Sequence, residues 1–278
     1  MSTPAGPLVR IRPPGRWEAL NLSALWRFRD LLWALALRDI KLRYRQTVLG
    51  VLWVVLQPLL GAGIFAFVFG RIAKLDSGGV PYVLFTYVGL LAWNLFSTTA
   101  TKATTALVSN ASLVSKVAFP RLLLPLSAAV SGLVDFAVGL AAGIILFAIA
   151  GWPPGLGLVV APFWLVLLLL LALGGGLIAG ALAVAYRDVV HVMPVALQLL
   201  LYASPVGYAI SAIPEGWPRT LYQLNPLAAM IEGFRTGVLG TGASDVKTAL
   251  YAAATAVVLF IAGLVFFRRR ERQFADVI

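Results

Sequence analysis

Between Arg38 and Leu60 the chain reads RDIKLRYRQTVLGVLWVVLQPLL, and the change from charged to apolar takes only two residues. Arg38, Lys41, Arg43 and Arg45 carry charges that hydrocarbon excludes, whereas everything from Val48 to Gly70 except Gln57 is apolar or small. A run of that length meets the roughly 20 residues needed to cross a bilayer core about 30 Å thick. Lys and Arg accumulate on the inner side of such spans, so the basic run marks its side as cytoplasmic. The segment therefore predicts an integral membrane protein whose N-terminus stays inside.

Composition agrees with this reading. Hydrophobic residues make up 60% of the 278, charged residues 12%, and mean hydropathy is +0.92. A soluble domain carries about 25% charged residues, so half of the usual charge is missing. The net charge of +11 does not point to nucleic acid, because the basic residues flank apolar runs instead of covering a polar domain. There they suit an anionic inner leaflet and the control of topology. The chain has no cysteine, which excludes a disulfide framework, a thiolate nucleophile and a Cys-based zinc site. The first 47 residues hold nine basic residues together with acids and prolines, and the first long apolar run follows them. No cleavable signal peptide is expected, and the span at 48–70 serves as an uncleaved insertion signal.

The pattern along the chain is all-α and polytopic. Residues 1–47 form an N-terminal segment in which 1–22, rich in Pro, Gly and Arg, lack regular structure apart from an extended piece near Leu8 to Ile11. From Ser23, a predicted N-cap, Leu25, Phe28, Leu31, Leu32 and Leu35 recur at helical spacing, too short a run to span. This is an amphipathic helix in the cytoplasmic interface, with Trp26 and Trp33 at headgroup level; the alternative is a continuous extension of the first span. Residues 48–267 form a six-helix transmembrane domain. Its spans are predicted at 48–70, kinked at Pro58, 82–106, 122–150, 159–185, 191–213 and 248–267. The glycines Gly174, Gly175, Gly176 and Gly180 of the fourth permit close helix contact. Residues 214–247 are too apolar for a solvated loop and too broken, at Asn225-Pro226 and at Gly240 and Gly242, for a span; two short re-entrant helices satisfy both constraints. Residues 268–278 are a cytoplasmic tail opening on RRRER. Counting Lys and Arg on the two sides supports six spans with both termini inside.

Groups that could do covalent chemistry are nearly absent. There is no Gly-x4-Gly-Lys-Ser/Thr loop to hold nucleotide phosphates. The single histidine, His191, stands at a span end and suggests no metal site. Asp135 lies near the middle of the third span, where an ionised carboxylate costs at least ~2.5 kcal/mol. Either it lines a translocation path or it is a buried carboxylate bonded to neighbouring helices, such as the hydroxyl-rich second span; Lys102 is placed too near the inner surface to pair with it. The lower half of that second span carries Asn94, Ser97, Thr98, Thr99, Thr101, Lys102, Thr104 and Thr105, too many polar groups to face lipid. Aromatics are the other candidates. Trp53, Phe65, Tyr87, Trp93, Phe96, Tyr202 and Tyr208 are offered as flat apolar faces for a translocation path, alongside belt and packing roles. Glu232 and Arg235, three apart on a short outer helix, form a structural pair worth roughly 0.2–0.5 kcal/mol.

Several of these pieces, taken in order, carry a resemblance. An interfacial helix followed by Arg38-Asp39, Lys41, Arg43-Tyr44, Thr47, Leu49-Gly50, Trp53 and Gln57-Pro58 is similar to the permease subunit of ABC exporters for O-antigen, capsule and teichoic-acid polymers. The likeness continues through Ser112 to Arg121 (SLVSKVAFPR), Tyr186 to Val192 (YRDVVHV) and Leu224 to Arg235, which contains LNP and EGFR. The resemblance implies a six-span permease that works as a homodimer with two copies of a separate ATPase, which binds ATP and Mg; this chain itself would need no cofactor. Asn110 to Phe119, with Leu113, Lys116 and Val117, resembles the coupling helix seated in a cleft of that ATPase. The implied cargo is a glycan linked to undecaprenyl diphosphate. Arg38, Lys41, Arg43 and Arg45 stand where they could meet its diphosphate or, equally, lipid headgroups. Two rival readings are a membrane-embedded transferase, whose convergent acids are not visible, and a related ABC permease for drugs or other hydrophobic molecules.

Overall fold

The computed structural model describes residues 26–44, 50, 52–117, 119–242, 245–271 and 274, and every regular element among them is helical. In chain order these are α1 (Arg29–Tyr44), α2 (Leu52–Phe65), α3 (Tyr82–Ser109), α4 (Ala111–Lys116), α5 (Leu123–Ala150), α6 (Ala161–Ala185), α7 (Val189–Tyr202), α8 (Trp217–Leu224), α9 (Pro226–Leu239) and α10 (Val246–Arg270). A π-helical stretch, Ala66–Ile72, extends α2, and a 3-10 turn, Leu156–Val160, leads into α6. The readings for residues 1–25 and for the end of the tail lie outside the described residues.

Among the described residues, five stretches are long and apolar enough to cross a membrane: Leu52–Ile72, Tyr82–Ser109, Leu123–Ala150, Leu156–Ala185 and Val246–Arg270. The expected fifth span is where sequence and structure part. Instead of a helix over 191–213, α7 stops after 14 residues, about 21 Å at 1.5 Å per residue. Pro205 has no amide hydrogen to continue the helix, and its ring disfavours helical geometry at Ser204. The chain leaves α7 as irregular backbone and makes only a short 3-10 turn, Ile210–Ala212, before α8.

Helix α3 is the axis of the molecule. It packs along α5 and α6, with α2, α9 and α7 closing around it, while α10 lies on the far side of α6. Small residues set these distances. A Cβ on Gly263 of α10 would lie 2.4 Å from the Gly174 carbonyl oxygen, and one on Gly176 2.6 Å from the Ala103 Cβ. The anticipated close packing of the fourth span is therefore realised on both of its sides. Outside, the polarity of a soluble protein is reversed: Ile144, Ile149, Leu199 and Val258 are each at least 65% exposed. An apolar exterior of this extent on long helices suits hydrocarbon, not water.

The buried side chains form two main cores. One fills the end reached by the α2–α3 and α5–α6 turns, where α9 is almost wholly buried among α3, α6 and α10. Gly240 caps α9 in the left-handed region at φ +71°, donating its amide to Thr236 O at 2.9 Å. There the Trp152 indole donates to Leu239 O at 3.0 Å and the Gly155 amide to Val238 O at 2.8 Å, so the charge-free GWPPG turn is fastened to α9. The second core gathers Leu35 of α1, Leu107, Val114 of α4, Leu123, Leu177, Phe267 and Phe274 at the end bearing α1 and the tail. Helix α1 gives this core Leu35, with Leu31 and Leu32 packed against it, and leaves Trp33 and Leu37 exposed on its other side.

Candidate functional site

Helix α3 spans the bundle, yet its open face is not apolar. Between Leu84 and Leu107 every residue that is not buried is polar: Asn94, Ser97, Thr98, Thr101, Lys102 and Thr105. Their spacing of three and four places them on one side of the helix. Thr99 and Thr104, also polar, are fully buried. Some of the cost of hydroxyls at this depth is met within the helix, where Thr104 Oγ1 donates to Ala100 O at 2.8 Å and Thr105 Oγ1 to Thr101 O at 3.1 Å. What remains is a hydrophilic stripe in an otherwise apolar layer, a surface that lipid solvates poorly.

Asp135 of α5 joins this stripe. Lys102 Nζ lies 3.4 Å from Asp135 Oδ2 and donates a short bond to Ser131 Oγ. The expectation that Lys102 sits too near the inner surface to reach Asp135 is thus corrected. Lys102 is about two turns from the end of α3 and Asp135 about three turns into antiparallel α5, a difference in height that a four-carbon stem bridges. Asp135 is thus met from the second span by the Lys102 ammonium, where the sequence pointed to that span's hydroxyls.

The aromatic candidates separate by burial. Tyr87, Trp93 and Phe96 are 0%, 6% and 6% exposed, inside the subunit, and the Tyr87 hydroxyl donates to Gly139 O at 2.7 Å. As core residues they offer no surface to a path beside this chain, which corrects their selection from sequence. Trp53 is 50% and Tyr202 59% exposed. Phe65 and Tyr208 are half-buried and stack in series with Phe69, at 5.6 Å and 5.8 Å between ring centres.

The backbone from Tyr202 to Tyr208, irregular and beside α3, is satisfied by side chains. Tyr208 Oη donates to Tyr202 O at 3.0 Å and Asn225 Nδ2 to Ala203 O at 3.2 Å. Arg235 Nη1 donates to Pro205 O at 3.0 Å and Val206 O at 3.2 Å, and its Nη2 to Tyr208 O at 3.4 Å. Tyr82 Oη donates to Gly207 O at 2.9 Å, and the Ser204 carbonyl takes the Val206 amide at 2.8 Å. Every carbonyl from 202 to 208 therefore has a donor, the condition for non-helical backbone at membrane depth. Arg235 is 1% exposed, stacked 3.9 Å over the Phe85 ring and paired with Glu232. Burial pulls its pKa below the ordinary value, and the Glu232 carboxylate opposes that shift. Sequence reading found the Glu232–Arg235 pair but not its depth; the signal available was an arginine at i+1 and i+4 of buried Phe234 and Ile231.

At the other end, α4 occupies the segment read as a coupling helix. Asn110 immediately precedes it, Lys116 and Val117 are exposed, Leu113 is half-buried, and Phe119 packs at the edge of the second core. The residue seated in that core is Val114, 3% exposed. Of the four basic candidates, Arg38 bonds Asp39 and Asn110, and Lys41 is exposed. The Arg43 side chain and the whole of Arg45 lie outside the described residues. His191 is exposed at the start of α7.

Three relatives share this length and order. An O-antigen export system permease protein of Myxococcus xanthus is 31% identical over 255 residues, 91% of this chain and 97% of the relative. One of Klebsiella pneumoniae is 31% identical over 272 residues, 93% of this chain and 97% of the relative. A polysialic acid transport protein of Escherichia coli is 27% identical over 246 residues, 86% of this chain and 92% of the relative. Together with the family model matched over residues 30–239, these similarities establish that the chain belongs to the ABC-2 type transporter membrane family.

Proposed function

We infer that this chain is the membrane-spanning subunit of an ABC exporter that moves a polysaccharide out of the cytoplasm across the bacterial inner membrane. Its relatives at about 30% identity over nearly their whole length are named for O-antigen export, and a more distant one for polysialic acid transport. The observation that carries a hydrophilic cargo is the α3 stripe, because a pathway for a drug-like apolar molecule has no use for six polar residues on one face of a span. The chain has no phosphate-binding loop, so ATP, with its Mg, is hydrolysed on a separate ATPase subunit. The stripe lies on the side of a single chain and forms half of a lining. A second copy related by a two-fold axis encloses it, which favours a homodimer bearing two ATPases.

In this reading both termini face the cytoplasm, α1 lies in the membrane interface with Trp33 and Leu37 toward lipid, and α4 is the coupling helix, its Leu113 and Val117 meeting the ATPase. Helix α7 with the irregular segment to Ile213 makes the sixth crossing, and α8 and α9 are the re-entrant pair at the outer mouth. Trp53, Phe65, Tyr202 and Tyr208 provide flat faces against which sugar C–H groups slide. Lys41, with Arg43 and Arg45 next to it in sequence, supplies the basic groups for the diphosphate of an undecaprenyl-linked glycan.

The test uses the chain's lack of cysteine. Single cysteines at Thr98, Thr101 and Thr105 should react with a small water-soluble thiol reagent in the assembled complex, and those at Ile144 and Val258 should not. A bulky reagent at the first three should abolish polymer at the cell surface. Unreactive stripe positions, or undiminished surface polymer after full labelling, would refute the pathway; normal polymer in a strain lacking this chain would refute the function.

A further inference from the structure

Helix α4 has six residues, too few to hold helical geometry by themselves. Its shape is imposed by contacts from distant parts of the chain. Val114 enters the second core, which also holds Leu35 of α1 and Phe267 of α10. Just before α4, Arg38 Nη2 of α1 donates to Asn110 Oδ1 at 2.7 Å, while Asn110 Nδ2 donates to Ala106 O at 2.8 Å. One amide thereby joins α1 to the last turn of α3 at the corner where α4 begins. After α4, Glu271 performs the matching task. Its Oε1 accepts from the Arg121 amide at 3.3 Å, its Oε2 accepts from Arg268 at 3.0 Å, and its carbonyl accepts from the Arg121 guanidinium. Phe274, 1% exposed, packs edge-on against Phe267 at 5.2 Å.

We propose that Arg38 and Glu271 are positioning residues for energy coupling, tying the α3–α4 corner to α1 and the chain between α4 and α5 to the end of α10. The proposal rests on the reading of α4 as the ATPase contact. A push on an untied six-residue helix would bend the α3–α4–α5 corner and be absorbed there. With both corners tied, the same push moves α1 and α10 with α4 as one body. Stability alone gives a weak account of these contacts: the Arg38 side chain is 41% exposed and already has Asp39 as a partner, and exposed pairs contribute little to folding. What the ties supply is geometry.

The experiment compares Arg38→Ala, Asn110→Ala and Glu271→Ala with the unchanged chain, each co-purified with its ATPase and assayed for ATP hydrolysis and for polymer delivered per ATP. Assembly and hydrolysis should persist, while polymer per ATP falls about fivefold, within the range over which residues remote from both sites change coupling. Arg38→Ala combined with Asn110→Ala should be no worse than either alone, because both cut one tie; Arg38→Ala with Glu271→Ala should be worse than either. Glu271→Gln, which keeps an acceptor for the Arg121 amide, should recover most of the loss. Unchanged polymer per ATP in all three alanine variants, or export falling only in step with assembled complex, would overturn the proposal. If a crosslinker from Ser112→Cys of the unchanged chain fails to reach the ATPase, the coupling-helix reading falls and takes the proposal with it.

Discussion

Arg235 shows most clearly how one side chain decides a local structure. An arginine 1% exposed within an apolar bundle is costly to bury, and here the cost is met by three carbonyls, one carboxylate and the face of Phe85. Replacing it by alanine leaves the Pro205 and Val206 carbonyls without donors at a depth where water does not reach. Unmade bonds of this kind cost about 1–3 kcal/mol each, so Arg235→Ala should lower stability by about 3 kcal/mol or more, read as a large drop in Tm of the detergent-solubilised protein. Glu232, whose side chain is 28% exposed, is a weaker contributor. Glu232→Gln keeps an acceptor for the guanidinium and should cost less than about 1 kcal/mol. Equal effects of the two changes would mean that the ion pair, not the carbonyl framework, is what Arg235 provides. From sequence the pair was visible at i, i+3, but as an outer surface contact, because nothing in a helical spacing tells how many foreign carbonyls converge on its cation.

At the scale of elements, long runs were legible and breaks were not. Five spans emerged close to their expected bounds, since a twenty-residue apolar run has few alternatives in a bilayer. The fifth expected span does not run as one continuous helix, because hydropathy weighs Pro205 as one mildly apolar residue among many, whereas the backbone leaves helical geometry before it. The aromatic candidates failed for a related reason: Tyr87, Trp93 and Phe96 have the chemistry of a sugar-binding face, but α3 is central and most of its faces are enclosed. The polar residues of the second span were legible as a group, and the helix gathers six of them on its one open face. Glycines were legible in part. At Gly263 and Gly174 any Cβ meets backbone of the other helix, at 2.4 Å and 2.7 Å, whereas at Gly175 there is nothing within 4 Å. Gly263→Ala should push α10 from α6 and cost about 1–3 kcal/mol, while Gly175→Ala should be neutral or slightly stabilising; thermal unfolding of the two variants separates them. The α4 reading needs the same refinement. Leu113 and Val117 are among the residues named for the coupling helix, yet Val114 holds it to the core at 3% exposure while Val117 is 50% exposed. Val114→Asp should lose stably folded protein, because a buried unpaired charge costs several kcal/mol. Val117→Asp should leave the permease folded and weaken only capture of the ATPase, measured by co-purification. Loss of folded protein from Val117→Asp would remove it from the docking face.

For the whole molecule, the distribution of charge and the fold make one argument. Helices α1 and α4 and the α10 terminus share an end of the bundle, held together by the second core. To that end belong Arg38, Lys41, Lys116, Arg121, Arg187 and Arg268 to Arg270. The opposite end has Arg71, Lys74, Arg219 and Lys247, with Arg235 buried inside it. A surplus of basic residues within a few turns of the spans is retained on the cytoplasmic side during insertion, so the end with α4 should be the inner one. This is also the only orientation in which a cytoplasmic ATPase reaches α4. Single cysteines decide it directly, since the natural chain has none. Gly78 and Pro154 are exposed at the far end and Ser112 is exposed on α4. With an impermeant thiol reagent added to intact cells whose outer barrier has been opened, Gly78→Cys and Pro154→Cys should be labelled. Ser112→Cys should be labelled only after the inner membrane is broken. The converse pattern would invert the molecule, detach α4 from any ATPase and remove the physical basis for reading this chain as an exporter.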